Sequence, residues 1–205
     1  METRNRTGAS RAALLELRRE RELIEQGHRF LDEKRMQLAR ELLRRIESYE
    51  QLLEALHNRH AKGRDALRQA VIDYGLADIQ VYPALASAGA DWDVSQKWFL
   101  GLSLPEAEMI WRTDGLEEEP AIKRPGVEEA AGRYAEVTEV AAAGAAMLTA
   151  MFRLEAEYKR TERSVRALEN VVMPEIRQEE KVTEEALAEI EQEEAVRVRL
   201  FGKGR

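Results

Sequence analysis

The sequence predicts an all-α fold in which two long helices, one towards each end of the chain, pair as an antiparallel coiled coil. Apolar residues recur about every 3.6 residues in both halves of the 205-residue chain. Four of the five prolines and all three tryptophans fall between residues 75 and 126. Charged residues make up 35% of the chain and aromatic residues only 6%, which favours long amphipathic helices over a thick globular core.

The first predicted helix starts near Ser10, a favourable N-cap residue that is soon followed by Leu14 and Leu15. A stripe of fifteen positions then follows, of which eleven are apolar. Its mean spacing lies between a strict heptad and a straight helix, so it predicts one continuous coiled-coil seam. The seam positions are Ile24, His28, Leu31, Arg35, Leu38, Leu42, Ile46, Tyr49, Leu53, Leu56, His60, Gly63, Leu67, Val71 and Tyr74.

The second predicted helix has a similar stripe, in which fifteen of seventeen positions are apolar. These positions are Tyr134, Val137, Ala141, Ala145, Leu148, Met151, Leu154, Tyr158, Thr161, Val165, Leu168, Val172, Ile176, Glu179, Val182, Ala186 and Ile190. A long helix with one apolar edge is not stable alone in water, so the two seams are expected to bury each other.

The segment between the helices makes their pairing antiparallel, with both ends of the chain at one tip and the insert at the other. We predict an N-terminal helix over residues 10–75, an insert over 76–126 and a C-terminal helix over 127–201. Within the insert, Ile79–Tyr82 is expected to be a short strand or an extended stretch. The alternation from Trp98 to Leu104, followed by Met109–Trp111, predicts a small two-stranded hairpin.

Two features of the C-terminal helix stand out from its regular pattern. Pro174 removes one helical hydrogen bond and clashes with the preceding turn, and the stripe resumes at Ile176, so we expect a kink and not a helix end. The run Ala141–Ala146 consists only of alanine and glycine. It reflects either simple helix propensity or a place where a partner protein packs closely.

The residues give little support to an enzyme, a metalloprotein or a cofactor-binding protein. There is no cysteine, which excludes disulfides, thiolate metal sites and a cysteine nucleophile. His57 and His60 have a metal-ligand spacing, but His60 falls on the seam, where a polar residue commonly sets register. No phosphate-binding loop or nucleophile motif is present. We therefore expect no catalytic residue, no metal and no cofactor.

The formal net charge of −7 argues against a nucleic-acid-binding protein, which needs a basic face. Residues 175–195 hold nine glutamates against Arg177 and Lys181, and residues 1–21 hold six arginines against three glutamates. Both charge runs are typical of solvated helix faces. No uninterrupted apolar stretch reaches the roughly 18 residues of a membrane span, so we expect no direct membrane insertion.

Four segments resemble the D subunit of V-type and A-type rotary ATPases, the central shaft protein. The segment Arg163–Pro174, RSVRALENVVMP, is similar to the family signature R-R-V-N-A-L-E-x-V-x-I-P. The opening Ser10–Arg19 resembles T-R-x-x-L-L-x-L-K-R, and Gly27–Arg35 resembles G-H-x-L-L-K-x-K-R. Asp93–Lys97 and the following Gly101 are similar to V-S-x-K-x-x-x-G. The resemblance spans nearly the whole chain.

The resemblance implies a non-catalytic rotor subunit that stands inside a hexamer of catalytic and regulatory subunits, which hold the nucleotide sites. The tip near residues 11–25 and 190–201 would lie in the bearing of that ring. The insert would face the membrane, where the small F subunit of the central stalk and a funnel-shaped adaptor connect the shaft to the ion-translocating ring. The complex would lie on the cytoplasmic face of a membrane. The residues expected to contact partners are Arg163, Arg166, Glu169, Val196, Leu200, Phe201, Trp98 and Trp111.

Other classes of protein share part of this pattern. A free-standing helical adaptor or tether has the same composition and periodicity. A curved lipid-binding helical dimer needs a basic concave face, which the net acidity disfavours. The three tryptophans of the insert also suit a local core. Co-purification with several ATPase subunits would separate a shaft from an adaptor.

Overall fold

The computed structural model describes residues 10–80, 90–111 and 123–202. Helix α1 covers Arg11–Tyr74 and the short helix α2 covers Leu76–Gln80. Strands β1 (Ala90–Phe99) and β2 (Leu102–Trp111) form an antiparallel hairpin. Helix α3 (Pro125–Ala167) continues through a π-helical turn (Leu168–Val172) into helix α4 (Met173–Gly202). The predicted fold class, two long helices with a small hairpin between them, is confirmed.

Local signals place the ends of these helices. The Ser10 hydroxyl accepts a hydrogen bond from the backbone N–H of Ala13 at 3.1 Å, as its predicted N-cap role requires. Gly75 ends α1 with a φ of 79°, a left-handed conformation that costs glycine little. Pro125 is the first residue of α3, where its missing N–H is not needed. Ile79 and Gln80 are helical in α2, so an extended Ile79–Gln80 is wrong; residues 81 and 82 lie outside the described residues.

The chain forms two compact units, and the predicted three segments stay a prediction. The first unit contains the described residues up to Gln37 and from Tyr158 onwards. The second unit contains Leu38–Glu157 and therefore holds the hairpin. Both units pair a segment of α1 with a segment of the C-terminal helices.

Ion pairs show the antiparallel direction of the first unit. Arg11 lies 2.7 Å from Glu191, Arg18 pairs with Glu180 and Glu184, and Arg177 lies 3.6 Å from Glu25. From Arg11 through Arg18 to Glu25 along α1, the partner residues run in the opposite direction along α4, from Glu191 to Arg177. Apolar burial in this unit includes Val165 and Ile176, which are 2% and 5% exposed. Since the ion pairs are exposed, they select the pairing direction more than they stabilise the fold.

In the second unit, large side chains of one helix pack against glycines of the other. A Cβ built on Gly63 would lie 3.6 Å from the Tyr134 ring, and one on Gly126 would lie 3.1 Å from the ring of Tyr74. A Cβ on Gly144 would lie 3.2 Å from Cδ2 of Leu52. The run Ala141–Ala146 thus includes a residue that lets the protein's own first helix approach closely.

Several predicted seam positions are wrong, because their side chains lie exposed in the structure. His60 and Leu67 of α1 lie exposed, whereas the predicted seam position Gly63 is buried, as is Ala70, which the prediction did not include. In α3 and α4, the predicted seam positions Ala141, Ala145, Glu179, Val182 and Ile190 are also exposed. In the alanine-rich part of α3, the buried residues are instead Val140, Ala142 and Ala150. A glycine or alanine gives a weak apolar signal in the sequence, yet it permits the closest helix contact.

The hairpin turns earlier than the sequence pattern indicated. Leu100 and Gly101 form a two-residue loop with φ angles of 49° and 84°, as a type I′ turn requires. The alternation from Trp98 to Leu104 therefore crosses the turn and does not follow one strand. The register joins Phe99 to Leu102 next to the loop and Ala90 to Trp111 at the open end.

The helix continues past Pro174, which agrees with the prediction that the proline does not end it. The N–H of Met173 donates to the carbonyl of Leu168 five residues earlier, so the turn before the proline is π-helical. The ring of a proline clashes with the carbonyl four residues back, here Asn170, which lies within this wider turn. The π turn accommodates the proline, and a bend of the helix at this point stays a prediction.

By length and composition alone, the helix over Pro125–Phe201 is apolar enough to cross a membrane, since one 18-residue window has a mean hydropathy of 1.3. Val140, Ala142, Ala150 and Leu154 of this helix are buried within the protein. Apolar residues of this kind are needed for contact with α1 as well. The expectation that the chain does not insert into a membrane stays a prediction.

Replacing Gly144 by valine should destabilise the protein by about 1–3 kcal/mol, because the new side chain must displace Leu52. Gly132→Val is the matched control, since a Cβ built there would have nothing within 4 Å, and its effect should stay within about 0.5 kcal/mol. Urea unfolding followed by circular dichroism measures both. Equal losses in the two variants would contradict close helix contact at Gly144.

Replacing Glu41 by glutamine should make the free energy of unfolding change less as the pH falls from neutral to acid. Hydrogen bonds from Arg44 and Arg45 hold the pKa of Glu41 below its ordinary value of 4.5, against the opposing effect of burial. Because the folded-state pKa is lowered, this stabilisation is present above about pH 4.5 and is lost as the pH falls through the folded-state pKa.

At pH 7 we expect Glu41→Gln to cost about 1–2 kcal/mol, since the buried Arg45 loses its carboxylate partner. The cost should shrink as the pH falls below about 4.5. Glu47→Gln, at an exposed position of the same helix, is the control. Urea titrations at several pH values make the comparison, and a cost for Glu41→Gln that does not change with pH would refute this role.

Candidate partner-binding surfaces

The described residues include several exposed surfaces that are available to partners. Within the described ranges, no group of three or more His, Asp or Glu side chains could hold a metal ion. His57 is exposed, and the ring of His60 meets the edge of Tyr134 at a centroid distance of 6.2 Å. Of the two histidines, His60 therefore contributes to contact between α1 and α3 in the second unit.

The basic segment before Pro174 places its charged residues in different settings. Arg163 is exposed, and among the described residues none forms an ion pair with it. Arg166 lies 2.7 Å from Glu162 one turn earlier in the same helix, so part of its charge is already compensated. Glu169 is exposed within the π-helical turn. Of the two arginines, Arg163 has the guanidinium that is more available to a partner.

The end of α4 is an exposed mixture of apolar and charged side chains. Val196, Leu200 and Phe201 are 49%, 72% and 80% exposed. Together with Arg197 and nearby acidic residues, they line one shallow surface along the helix. Every residue from Glu191 to Phe201 is exposed. Exposed apolar side chains grouped at the end of a helix are available for contact with another protein.

In the same unit, ion pairs join α4 to the start of α1. The hydrogen bond to Glu184 raises the pKa of Arg18, and a second hydrogen bond to Glu180 acts in the same direction. The hydrogen bond to Glu191 raises the pKa of Arg11 likewise. The glutamate-rich stretch of α4 thus has basic partners in the opening segment of the chain, in addition to its solvated face.

The hairpin packs on the helices of the second unit through β2. Leu104 is fully buried, and the guanidinium of Arg153 donates a hydrogen bond of 2.6 Å to the carbonyl of Ser103. Glu106 also contributes to the raised pKa of Arg44, after the larger effects of Glu41. In β1, by contrast, every residue from Asp91 to Trp98 is exposed.

Trp98 is 71% exposed, which makes it available to a partner. Trp111 is the last residue of β2, and its side chain lies outside the described residues. Trp92 and Val94 lie on the same face of β1 as Trp98 and are also more than half exposed. An interpretation of the described tryptophans as a local core is therefore wrong for Trp92 and Trp98.

The sequence alone did not identify Arg153 and Leu104 as contacts between hairpin and helices, or the electrostatic effect of Glu106 on Arg44. An arginine on a helix surface has the same appearance in a sequence whether it is solvated or bonded to a distant carbonyl. Leu104 was noted for its alternation, but its burial depends on how the hairpin packs. Only Pro105 gives a signal in the sequence. Because proline has no N–H to donate, it indicates an edge strand or a position where the strand ladder needs no donor.

Comparison with known proteins matches residues 13–203 to the family of ATP synthase D subunits. The D subunit of the V-type ATP synthase of Anaeromyxobacter dehalogenans is 30% identical over 96% of each chain. The D subunit of the V-type ATP synthase of Thermotoga neapolitana is 25% identical over 93% of this chain and 94% of its own length. The D subunit of the A-type ATP synthase of Thermococcus sibiricus is 28% identical over 93% and 90%. Since the family match covers both helical units and the hairpin, the chain belongs to the family of ATP synthase D subunits.

Proposed function

We propose that the chain is the central-stalk rotor subunit of a V/A-type rotary ATPase. In this role it transmits torque between a catalytic hexamer and a membrane ring that translocates protons or sodium ions, coupled to ATP synthesis or hydrolysis. The observation that carries the proposal is the antiparallel pairing of long helices in both units, in a chain whose family match runs from residue 13 to 203. The complex lies on the cytoplasmic face of its membrane.

Helix pairing suits torque transmission because each helix resists the bending of the other. A single helix in water frays and bends, whereas interlocked side chains must slide past each other before a pair can deform. The glycine contacts with Tyr134, Tyr74 and Leu52 bring the backbones of the second unit close. In the first unit, ion pairs at Arg11, Arg18 and Arg177 favour one direction of pairing.

The chain acts without nucleotide chemistry of its own. The nucleotide sites belong to the alternating catalytic and regulatory subunits of the hexamer. An asymmetric shaft presents different faces to these subunits, so they cannot all occupy the same state at once. Rotation then shifts the population of states at each site through differential contacts.

Three surfaces supply the contacts in this account. Val196, Leu200 and Phe201 lie in the bearing of the hexamer. Arg163, Arg166 and Glu169 are charged contacts with loops of the ring, among which Arg163 has no competing partner in the described parts of the chain. Trp98 and Trp111 contact the small F subunit or the funnel-shaped adaptor at the membrane end.

The alternative is a free-standing helical adaptor or tether. It explains the helix pairing equally well but gives no reason for a family match across the whole chain. Purification from the native cells separates the two, because a rotor subunit emerges with several ATPase subunits in fixed ratio. Isolation of the chain alone, from cells that contain the intact ATPase, would favour the adaptor.

Replacing Val196, Leu200 and Phe201 together by serine should weaken binding to the hexamer while leaving the chain folded. These side chains are exposed, so their loss should change the free energy of unfolding by less than about 1 kcal/mol. Removal of apolar contacts from an interface should weaken hexamer binding by at least about tenfold. Pull-down with reconstituted hexamer and steady-state ATP turnover measure the effect.

The matched control for this triple variant is Val182→Ser, which removes a half-exposed apolar side chain from the same helix away from its end. It should bind the hexamer as the unchanged protein does. If the triple variant also binds the hexamer and supports normal ATP turnover, the end of α4 does not lie in the bearing.

Reversing the charge of Arg163 should reduce ATP-driven rotation in the reconstituted complex. Arg163→Glu removes no ion pair seen among the described residues, so thermal stability should change by less than about 0.5 kcal/mol. Loss of a charged contact with the ring should lower the rotation rate about three- to tenfold. Single-molecule rotation with Arg160→Glu, an exposed position one turn earlier, is the control. Equal rates for both variants would show that Arg163 is not a contact with the ring.

A further inference from the structure

The outer edge of β1 has the features of a strand that pairs with another strand. Within the described residues the sheet contains only β1 and β2, and β2 is the strand that contacts the helices through Leu104 and Ser103. In β1, all residues from Asp91 to Trp98 are exposed and none is proline. A long exposed edge without proline is a template for an additional strand.

The register determines which backbone groups point outwards. Beside a two-residue loop the flanking pair, Phe99 and Leu102, is hydrogen-bonded, and the type of pair alternates from there. The N–H and C=O groups of alternate β1 residues therefore point away from β2; these residues are Trp92, Val94, Gln96 and Trp98.

Two observations on β2 support this assignment. The carbonyl of Ser103, the partner of Trp98, accepts a hydrogen bond from Arg153, which lies outside the sheet. Pro105, which has no N–H, is the partner of Gln96 and thus lies where the ladder needs no donor.

We propose that β1 pairs antiparallel with β1 of a second copy of this chain, around a two-fold axis at Ser95. In that register Trp92 lies beside Trp98 of the second copy, and Val94 lies beside its Gln96, so all outward backbone groups find partners. Asp93 then lies opposite Lys97 of the second copy. The pairing creates two Trp–Trp contacts and two pairs of opposite charge across one four-stranded sheet.

Charge complementarity favours a second copy over an unrelated strand. Lys97 lies 3.8 Å from Glu106, and because both side chains are exposed, this contact leaves Lys97 able to reach Asp93 of the second copy. Opposite charges and aromatic pairs directly across an antiparallel pair are both stabilising. The inference does not depend on the proposed rotor function, and it concerns the chain before assembly into a larger complex.

A single introduced cysteine tests the register, because the protein has no cysteine of its own. In the proposed dimer the two Ser95 residues form a pair without backbone hydrogen bonds, with a Cα separation of about 4.5 Å that a disulfide can span. Ser95→Cys should therefore form a disulfide-linked dimer readily under mild oxidation.

Asp91→Cys is the matched control on the same exposed strand. The two copies of residue 91 would lie about eight residues apart along the sheet, or about 27 Å, so this variant should cross-link at least tenfold more slowly. Equal cross-linking rates would mean random collision and would overturn the proposal.

Charge reversal gives an independent test by sedimentation equilibrium of the purified full-length chain. Asp93→Lys places two like-charged pairs across the interface and should weaken the dimer about tenfold. Lys97→Asp should weaken it similarly, and the double variant Asp93→Lys/Lys97→Asp should restore it. Asp91→Lys changes net charge equally and should weaken the dimer less than threefold. A monomeric unchanged chain, or no rescue in the double variant, would overturn the proposal.

Discussion

Neither long helix can bury its apolar edge alone, and this constraint determines the rest of the structure. A helix of 64 residues with an apolar stripe exposes that stripe to water along its whole length unless another helix covers it. The C-terminal helices are the complementary surface within the same chain. Residues such as Leu38, Leu154 and Val165 become buried only through this pairing, since each unit offers little core beyond the helix contacts.

The two units satisfy the constraint by different means. In the second unit, Gly63, Gly126 and Gly144 let large side chains of the opposite helix approach closely. In the first unit, exposed ion pairs accompany burial of Val165 and Ile176. Glycine weakens a helix by roughly 1 kcal/mol relative to alanine. Its use at contact points shows that close packing outweighs this local cost.

Much of the fold could be predicted from the sequence because large apolar residues have a clear period. Ser10, Leu38, Leu154, Val165 and Ile176 all take their predicted roles. The prediction was wrong at His60 and Leu67, which are exposed, and it missed the buried Ala70, because a small residue gives a weak apolar signal; Gly63 is buried as predicted. The hairpin was predicted, but its turn at Leu100–Gly101 needs backbone angles that the alternation of residues does not reveal.

Candidate surfaces were less predictable than the fold. The exposure of Val196, Leu200, Phe201 and Trp98 depends on the tertiary structure, which leaves these apolar side chains uncovered. Arg166 illustrates the opposite case, because its pairing with Glu162 follows from their spacing on one helix but reduces its availability to a partner. Contacts such as Arg153 with Ser103 join residues fifty positions apart, and a single sequence has no signal for them.

The most direct test of this account measures a distance between the two ends of the chain. Spin labels at the exposed positions Arg19 and Glu185, introduced as Arg19→Cys and Glu185→Cys, report on the first unit by pulsed electron paramagnetic resonance. Paired antiparallel helices have axes about 8–10 Å apart, so the label distance should be centred below about 30 Å. A distribution centred beyond about 50 Å, several times the spacing of packed helices, would contradict the pairing of the two ends.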